Sequence, residues 1–81
     1  MMTVTVRSFI FPVKLFEGFE LGQPFEFQVP VNSTLGDLVK EVLADNMKAI
    51  GIMAVNGEVA HEEYNLSLGD KIDIYPLLEG G

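Results

Sequence analysis

Between Leu35 and Asp45 the spacing of apolar residues changes, and nowhere else in the chain does it change this way. Leu35, Leu38, Val39, Val42 and Leu43 stand at i, i+3, i+4, i+7 and i+8, which is one stripe along an α-helix. Thr34 is the expected N-cap. Asp37, three residues on, is placed to accept from the Thr34 backbone N–H and to complement the helix dipole. The helix is expected to run from Leu35 to Asp45 or Asn46, with Lys40, Glu41 and Asp45 mainly on its outer face. A single amphipathic helix has only one partner that can hide its stripe here, because every other periodic stretch has a period of two.

Those stretches read as strands. From Thr3 to Phe11, Val4, Val6, Ser8 and Ile10 share one face while Thr5, Arg7, Phe9 and Phe11 share the other, and Pro12 ends the run. Residues Val13 to Pro24 carry Gly18, Gly22 and Pro24 without a period, a long connection in which an irregular hairpin is possible. Phe25, Phe27 and Val29 alternate with Glu26 and Gln28 up to Pro30. After the helix, Ile52 to Val55 and Glu58 to Ala60 flank Asn56-Gly57, a strong signal for a two-residue turn. His61 to Asn65 is a polar loop, and Gly69-Asp70 marks a second turn. Lys71 to Tyr75 is the last strand, with Ile72 and Ile74 inward and Lys71, Asp73 and Tyr75 outward, and Pro76 ends it. The first and last strands are expected side by side and parallel in the middle of one sheet, with the helix packed across it.

Eighty-one residues make one domain and no second. The chain has no cysteine, so disulfides, thiolate metal sites and a thiol nucleophile of its own are excluded. Its net charge is −7, which repels a phosphate backbone, and no basic cluster offsets this; nucleic acid is not an expected partner. A protein with a positive docking surface is the better electrostatic match, although acidity also serves solubility. Neither a secretory leader nor an apolar run near ~20 residues is seen, so no membrane is expected and a cytoplasmic location is. His61 beside Glu62 and Glu63 reads as solvated surface, and no metal is expected. Asp37, Glu41 and Asp45 read as a solvated helix face, and Met47 and Met53 as packing. No Ser-His-Asp set, phosphate loop or zinc pattern is present, so no catalytic residue is assigned.

The chemical handle lies in Pro76-Leu77-Leu78-Glu79-Gly80-Gly81. Glycine has no Cβ, so Gly80 and Gly81 can thread a narrow channel, and a terminal carboxylate on Gly81 is unhindered for activation as an acyl-adenylate. Residues 77–80, extended, reach about 13 Å beyond Pro76. Leu77 and Leu78 are apolar where a free tail should be polar, which suits anchors for a partner's groove or a fold back onto the domain edge. Phe9, Met53 and Tyr75, taken as outward residues, form a candidate apolar docking patch if their strands are neighbours, unless the Val13 to Pro24 connection covers them.

Val55-Asn56-Gly57-Glu58-Val59, the stretch Leu68-Gly69-Asp70-Lys71-Ile72-Asp73-Ile74-Tyr75-Pro76, Gly80-Gly81, and Thr34 with Leu35, Asp37 and Leu38 are specific in combination. Together they cover most of residues 25 to 81 and resemble the MoaD/ThiS family of ubiquitin-like sulfur carriers. One segment departs: Phe11 to Glu17 lacks the pattern usual after the first strand of the molybdopterin synthase small subunit. The resemblance implies an α+β, β-grasp (ubiquitin-like) fold, a mixed four- to five-stranded sheet packed on one main helix. Residues 1–76 would form the domain and residues 77–81 a flexible tail.

It further implies a protein co-substrate, not an enzyme, that binds no cofactor itself. An E1-like adenylating enzyme of the MoeB/ThiF type would use ATP and Mg²⁺ to adenylate Gly81, and a persulfide donor would convert it to a thiocarboxylate. Glu79, Leu78 and Leu77 would thread the partner's active site with Gly80. The sulfur would pass to a synthase subunit making molybdopterin for a molybdenum or tungsten cofactor or, next in order, thiamin. The chain would then act as the small subunit of a complex such as molybdopterin synthase. Two other readings stay open: a ubiquitin-like modifier joined through Gly81 to target lysines, and a β-grasp binding module whose Gly-Gly is incidental.

Overall fold

The computed structural model describes residues 1–12 and 15–78. Five strands and one α-helix follow in the order β1 (Met2–Ser8), β2 (Phe25–Val29), α1 (Leu35–Leu43), a 3₁₀ segment (Ala44–Ala49), β3 (Ile50–Val55), β4 (Glu58–Ala60) and β5 (Lys71–Pro76). The sheet order is β2-β1-β5-β3-β4. β1 and β5 are parallel at its centre, with Val6 beside Ile72 and Ser8 beside Ile74. The β1–β2, β3–β5 and β3–β4 pairs are antiparallel. The expected central parallel pair, with α1 in the crossover between the strands it joins, is therefore present.

The period-two pattern of β1 buries Met2, Val4, Val6 and Ser8 against α1. Ile72 and Ile74 of β5 share that sheet face, and opposite them lie Leu35, Leu38, Val39, Val42 and Leu43, the whole stripe read from the sequence. Truncating a side chain as enclosed as Leu38 costs about 2–5 kcal/mol, a large share of the stability of so small a domain.

β1 stops at Ser8, short of the expected Phe11. The Ser8 hydroxyl donates to the Ile10 carbonyl at 2.7 Å and accepts from the Ile10 N–H at 3.1 Å, which turns the chain while keeping a buried hydroxyl satisfied. Phe9 still belongs to the ladder, since its N–H donates to the Ile74 carbonyl. Among the described residues between Phe9 and Pro24 there is no strand, so the irregular hairpin is not formed there. That connection instead carries Phe16 and Phe19 onto Phe25 of β2, with ring centroids 5.4 and 6.0 Å away. The aromatic rings give a long loop a small core of its own.

Helix α1 begins where expected. Asp37 N–H donates to Thr34 Oγ1 at 3.1 Å and Thr34 N–H donates to Asp37 Oδ2 at 3.0 Å, a complete capping box. Two further free amides at this end, those of Leu35 and Gly36, donate to the carbonyls of Tyr64 and Glu62. The polar loop His61 to Asn65 thus closes the helix start with its backbone, while its side chains stay exposed. The α-helix ends at Leu43, two residues short of the nearest expected end. Ala44 takes φ 50°, and the chain continues as a 3₁₀ turn tied to the long loop by Asn46 Nδ2 donating to the Phe11 carbonyl.

Candidate functional site

Strand β5 connects two unlike ends of the sheet. Where it starts, Asn56 and Gly57 both have positive φ, 53° and 86°, as a type I′ turn requires. Asn56 then holds the start of β5 with its backbone N–H and both polar atoms of its side chain. Its N–H donates to the Lys71 carbonyl, its Oδ1 accepts from the Lys71 N–H at 2.9 Å, and its Nδ2 donates to Asp70 Oδ1 at 2.9 Å. The buried Asp70 carboxylate takes a second bond at 2.8 Å from the Ser67 N–H. Asn56 with Asp70 and Lys71, from two of the stretches that carry the family resemblance, therefore forms a structural clasp at the end of β5 away from the tail.

Where β5 ends, polar side chains no longer hold the backbone. Pro76 pairs with Ile50, and the next residue is held by a single bond, Leu77 N–H donating to the Ala49 carbonyl at 2.7 Å. Leu77 and Leu78 then project outward, 59% and 87% exposed, rather than folding back on the domain edge. Glu79, Gly80 and Gly81, the residues on which activation was read, lie outside the described residues.

The sheet face away from α1 lies alongside this exit. Register places Arg7 of β1 beside Asp73 of β5, Asp73 beside Ala54 of β3, Ala54 beside Val59 of β4, and Tyr75 beside Ile52. Paired residues share a face, so these side chains form one surface. The Phe9 and Tyr75 rings stack on it, with centroids 5.2 Å apart and planes 8° from parallel. Ile52 and Val59 are 53% and 66% exposed there. Arg7 Nε donates to Asp73 Oδ1 at 2.9 Å, and its guanidinium lies 5.3 Å from the Phe9 ring centre. That bond to Asp73 raises the Arg7 pKa further above its ordinary value, so this positive charge is permanent. The long connection covers Phe9 from one side: Gly22 N–H donates to the Ser8 carbonyl, and a Cβ at Gly22 would sit 3.0 Å from the Phe9 ring.

Phe9 and Tyr75 thus lie together on this face as read from the sequence, but Met53 does not. It is 9% exposed and packs in the core. The cause is a bulge in β3. Ile50 pairs with Pro76 and Ile52 with Tyr75, so Gly51 is an extra residue in the ladder. Ile50 packs toward the core, and past the bulge Met53 and Val55 take the inner face, leaving Ile52 outside. Because Ile52, Met53, Ala54 and Val55 are all apolar, the sequence carried no sign of which parity was correct. Ile52 was missed for the same reason, and Val59 with it, because Val59 takes its face by pairing with Ala54. Gly51 was the available signal, since a lone glycine beside a strand marks a bulge or a close backbone approach. A separate depression lined by Val29, Asn32, Asp37 and Lys40 lies by the start of α1 and includes neither the tail nor this face.

A mixed five-stranded sheet clasping one helix, with its last strand running out beside a partly exposed face, defines a ubiquitin-like β-grasp protein. The chain belongs to the ThiS family, whose sequence model matches residues 12–81. Solved structures agree on the fold. SAMP1 from Haloferax volcanii superposes with a TM-score of 0.65 at 19% identity, covering 98% of this chain and 99% of that one. A molybdopterin converting factor subunit 1 from Pyrococcus furiosus, a provisional assignment, gives 0.65 at 17% identity, covering 96% of this chain and 100% of that one. No curated protein matches the sequence. Among the described residues no helix is long and apolar enough to cross a membrane.

Proposed function

We propose that the chain is a sulfur carrier whose Gly81 carboxylate is activated and converted to a thiocarboxylate. The observation that carries this reading is that the family match runs through Gly80 and Gly81. The exposed Leu77 and Leu78, leaving the sheet beside the Phe9, Tyr75, Ile52 and Val59 face, are the geometry such a task needs.

A carboxylate is a poor acyl donor because it is anionic and its oxygen leaves badly. In the first step a Gly81 oxygen attacks the α-phosphorus of ATP on an E1-like enzyme with Mg²⁺, forming the acyl-adenylate and releasing pyrophosphate. The terminal sulfur of a protein persulfide then attacks the Gly81 carbonyl, and AMP leaves with the C–O bond electrons. A second thiol cleaves the resulting acyl disulfide, leaving the thiocarboxylate and a disulfide between donor and reductant. This chain supplies no catalytic group. Its open face docks, Leu77 and Leu78 anchor, and Gly80 lets the carboxyl end enter a narrow site.

The acceptor we favour is a synthase subunit making molybdopterin, with a thiamin-forming synthase next. A second reading, attachment of Gly81 to lysines of other proteins, is favoured by the similarity to a protein described as a small archaeal modifier. Adenylation is common to both and is read by ATP–pyrophosphate exchange with an E1-like enzyme from the same cells. Exchange is expected with the full chain and not with a chain ending at Gly80. Equal exchange with both chains would contradict the proposal, as would none with either. Anti-chain immunoblots of denatured cell extract then separate the readings, because covalent conjugates form only in the second.

A further inference from the structure

We infer that Gly51 is a positioning residue for the tail: the bare backbone of the β3 bulge is the notch that sets the direction in which residues 77 and 78 leave the sheet. The inference deepens the proposed function and rests on it for its kinetic consequence, but its structural part stands alone.

A Cβ built on Gly51 would lie 2.6 Å from the Pro76 carbonyl oxygen, 2.9 Å from Leu77 Cα and 3.0 Å from the Pro76 carbonyl carbon. All three are backbone atoms of the departing strand, so relief cannot come from rotating a side chain. Either the tail moves or β3 does. Conformation is not what requires glycine here, because the φ of Gly51 lies outside the left-handed region where Gly18, Gly22, Gly57 and Gly69 sit. Space is the requirement.

The notch acts together with the bond on its other side. Leu77 N–H donates to the Ala49 carbonyl at 2.7 Å, two residues before Gly51. That bond forms only if Pro76 and Leu77 lie close over β3, and only a residue without a Cβ permits the approach. The bulge does a second thing at the same point, since it turns Ile52 onto the open face beside Tyr75. One glycine thereby registers the tail against the surface proposed to dock. A partner that holds the domain by that face receives the tail at a defined angle, and reaching its active site costs little reorientation. Misplacing a reacting group by about 1 Å can cost on the order of a hundredfold in rate.

The test uses the full chain and its Gly51→Ala variant, with NMR and adenylation kinetics as paired readouts. In the unmodified chain the Leu77 amide should be protected from exchange and show a scalar coupling across its hydrogen bond to the Ala49 carbonyl. A Leu77 amide exchanging like that of an unstructured peptide would overturn the inference, whatever the variant does. In Gly51→Ala, core amides should keep their dispersion while Leu77 loses both protection and coupling. Its kcat for adenylation should fall roughly ten- to a hundredfold while KM stays within about twofold, as expected when docking survives and presentation fails. Unchanged kcat, or a rise in KM alone, would overturn it. If the unmodified chain is not adenylated at all, the proposed function fails, and the Leu77 measurements decide the notch by themselves. If the variant does not fold, the coupling in the unmodified chain decides it.

Discussion

The two ends of strand β5 are built on opposite plans. At its start, Asn56, Ser67, Asp70 and Lys71 share five hydrogen bonds that fix the local backbone. At its end, one bond from Leu77 to Ala49 and a missing side chain at Gly51 hold the chain just long enough to aim it. A structural end uses polar side chains because they specify geometry and, once buried, are costly to leave unpaired. An end with the proposed task needs the chain to leave and enter another protein, and this one is guided by shape and a single hydrogen bond. Sequence motifs concentrate at the first kind of end, and chemistry is proposed for the second.

The two plans predict separable failures. The largest effect comes from removing Gly81, which should abolish adenylation while leaving the thermal midpoint of the domain unchanged. Both are read on one preparation, by pyrophosphate exchange and by circular dichroism. A shift in the midpoint would mean that the tail is part of the fold.

Next is the clasp. Asp70→Ala strips the Asn56 side-chain amide and the Ser67 N–H of their acceptor, and should cost about 2–3 kcal/mol in urea unfolding. Below its unfolding transition, the variant should still be adenylated within about twofold of the unmodified rate, since the clasp lies at the far end of the strand. A larger catalytic loss than stability loss would break the division between the two ends.

A smaller effect is expected on the open face. Ile52→Ala should weaken binding to the activating enzyme by roughly 1 kcal/mol, about fivefold, measured by titration calorimetry. Because Ile52 is 53% exposed, stability should change by no more than about 0.5 kcal/mol. Met53→Ala should do the reverse, costing stability with binding intact, and that contrast tests the parity the bulge imposes.

The smallest effect is set by pH at the start of α1. The Thr34 backbone N–H, then the Thr34 side chain, holds the Asp37 carboxyl below its ordinary value of 3.8. A depressed folded-state pKa means that the unfolded chain binds the proton more readily. The contribution is therefore present above pH 3.8 and is lost as the pH falls through the lower folded value. Asp37→Asn should flatten the acid limb of a plot of urea midpoint against pH in this window. Parallel plots for the two proteins would show that the carboxylate does not contribute as a charge. Asp37 is fully exposed, so the difference should be slight.

What could be read from the sequence divides in the same manner. Leu35, Leu38, Val39, Val42 and Leu43 gave the helix and its buried face because their spacing fits no other element. Asn56-Gly57 gave the β3–β4 turn because few residue pairs tolerate positive φ twice. The end of α1 was not legible, since Ala44 at φ 50° is a conformation its own side chain does not favour and tertiary contacts impose. Nor was the orientation of Met53, because an unbroken apolar run has no parity and the bulge that sets it depends on pairing with β5. The long loop was opaque until its phenylalanines met those of β2, contacts between residues that no local period connects. For the tail, sequence gives the residue types and the structure gives the exit of Leu77 and Leu78, while Gly81, for which activation is proposed, lies outside the described residues.

The most direct measurement is intact mass spectrometry of the untagged protein, isolated from its own cells without reductant, with fragmentation of its C-terminal end. The account predicts a population heavier by the difference between sulfur and oxygen, with the added mass confined to Gly80-Gly81. An unmodified mass that persists after incubation with ATP, a persulfide donor and the host's activating enzyme would contradict sulfur transfer. It would leave two readings, conjugation through Gly81 and a β-grasp domain whose Gly-Gly has no chemical role.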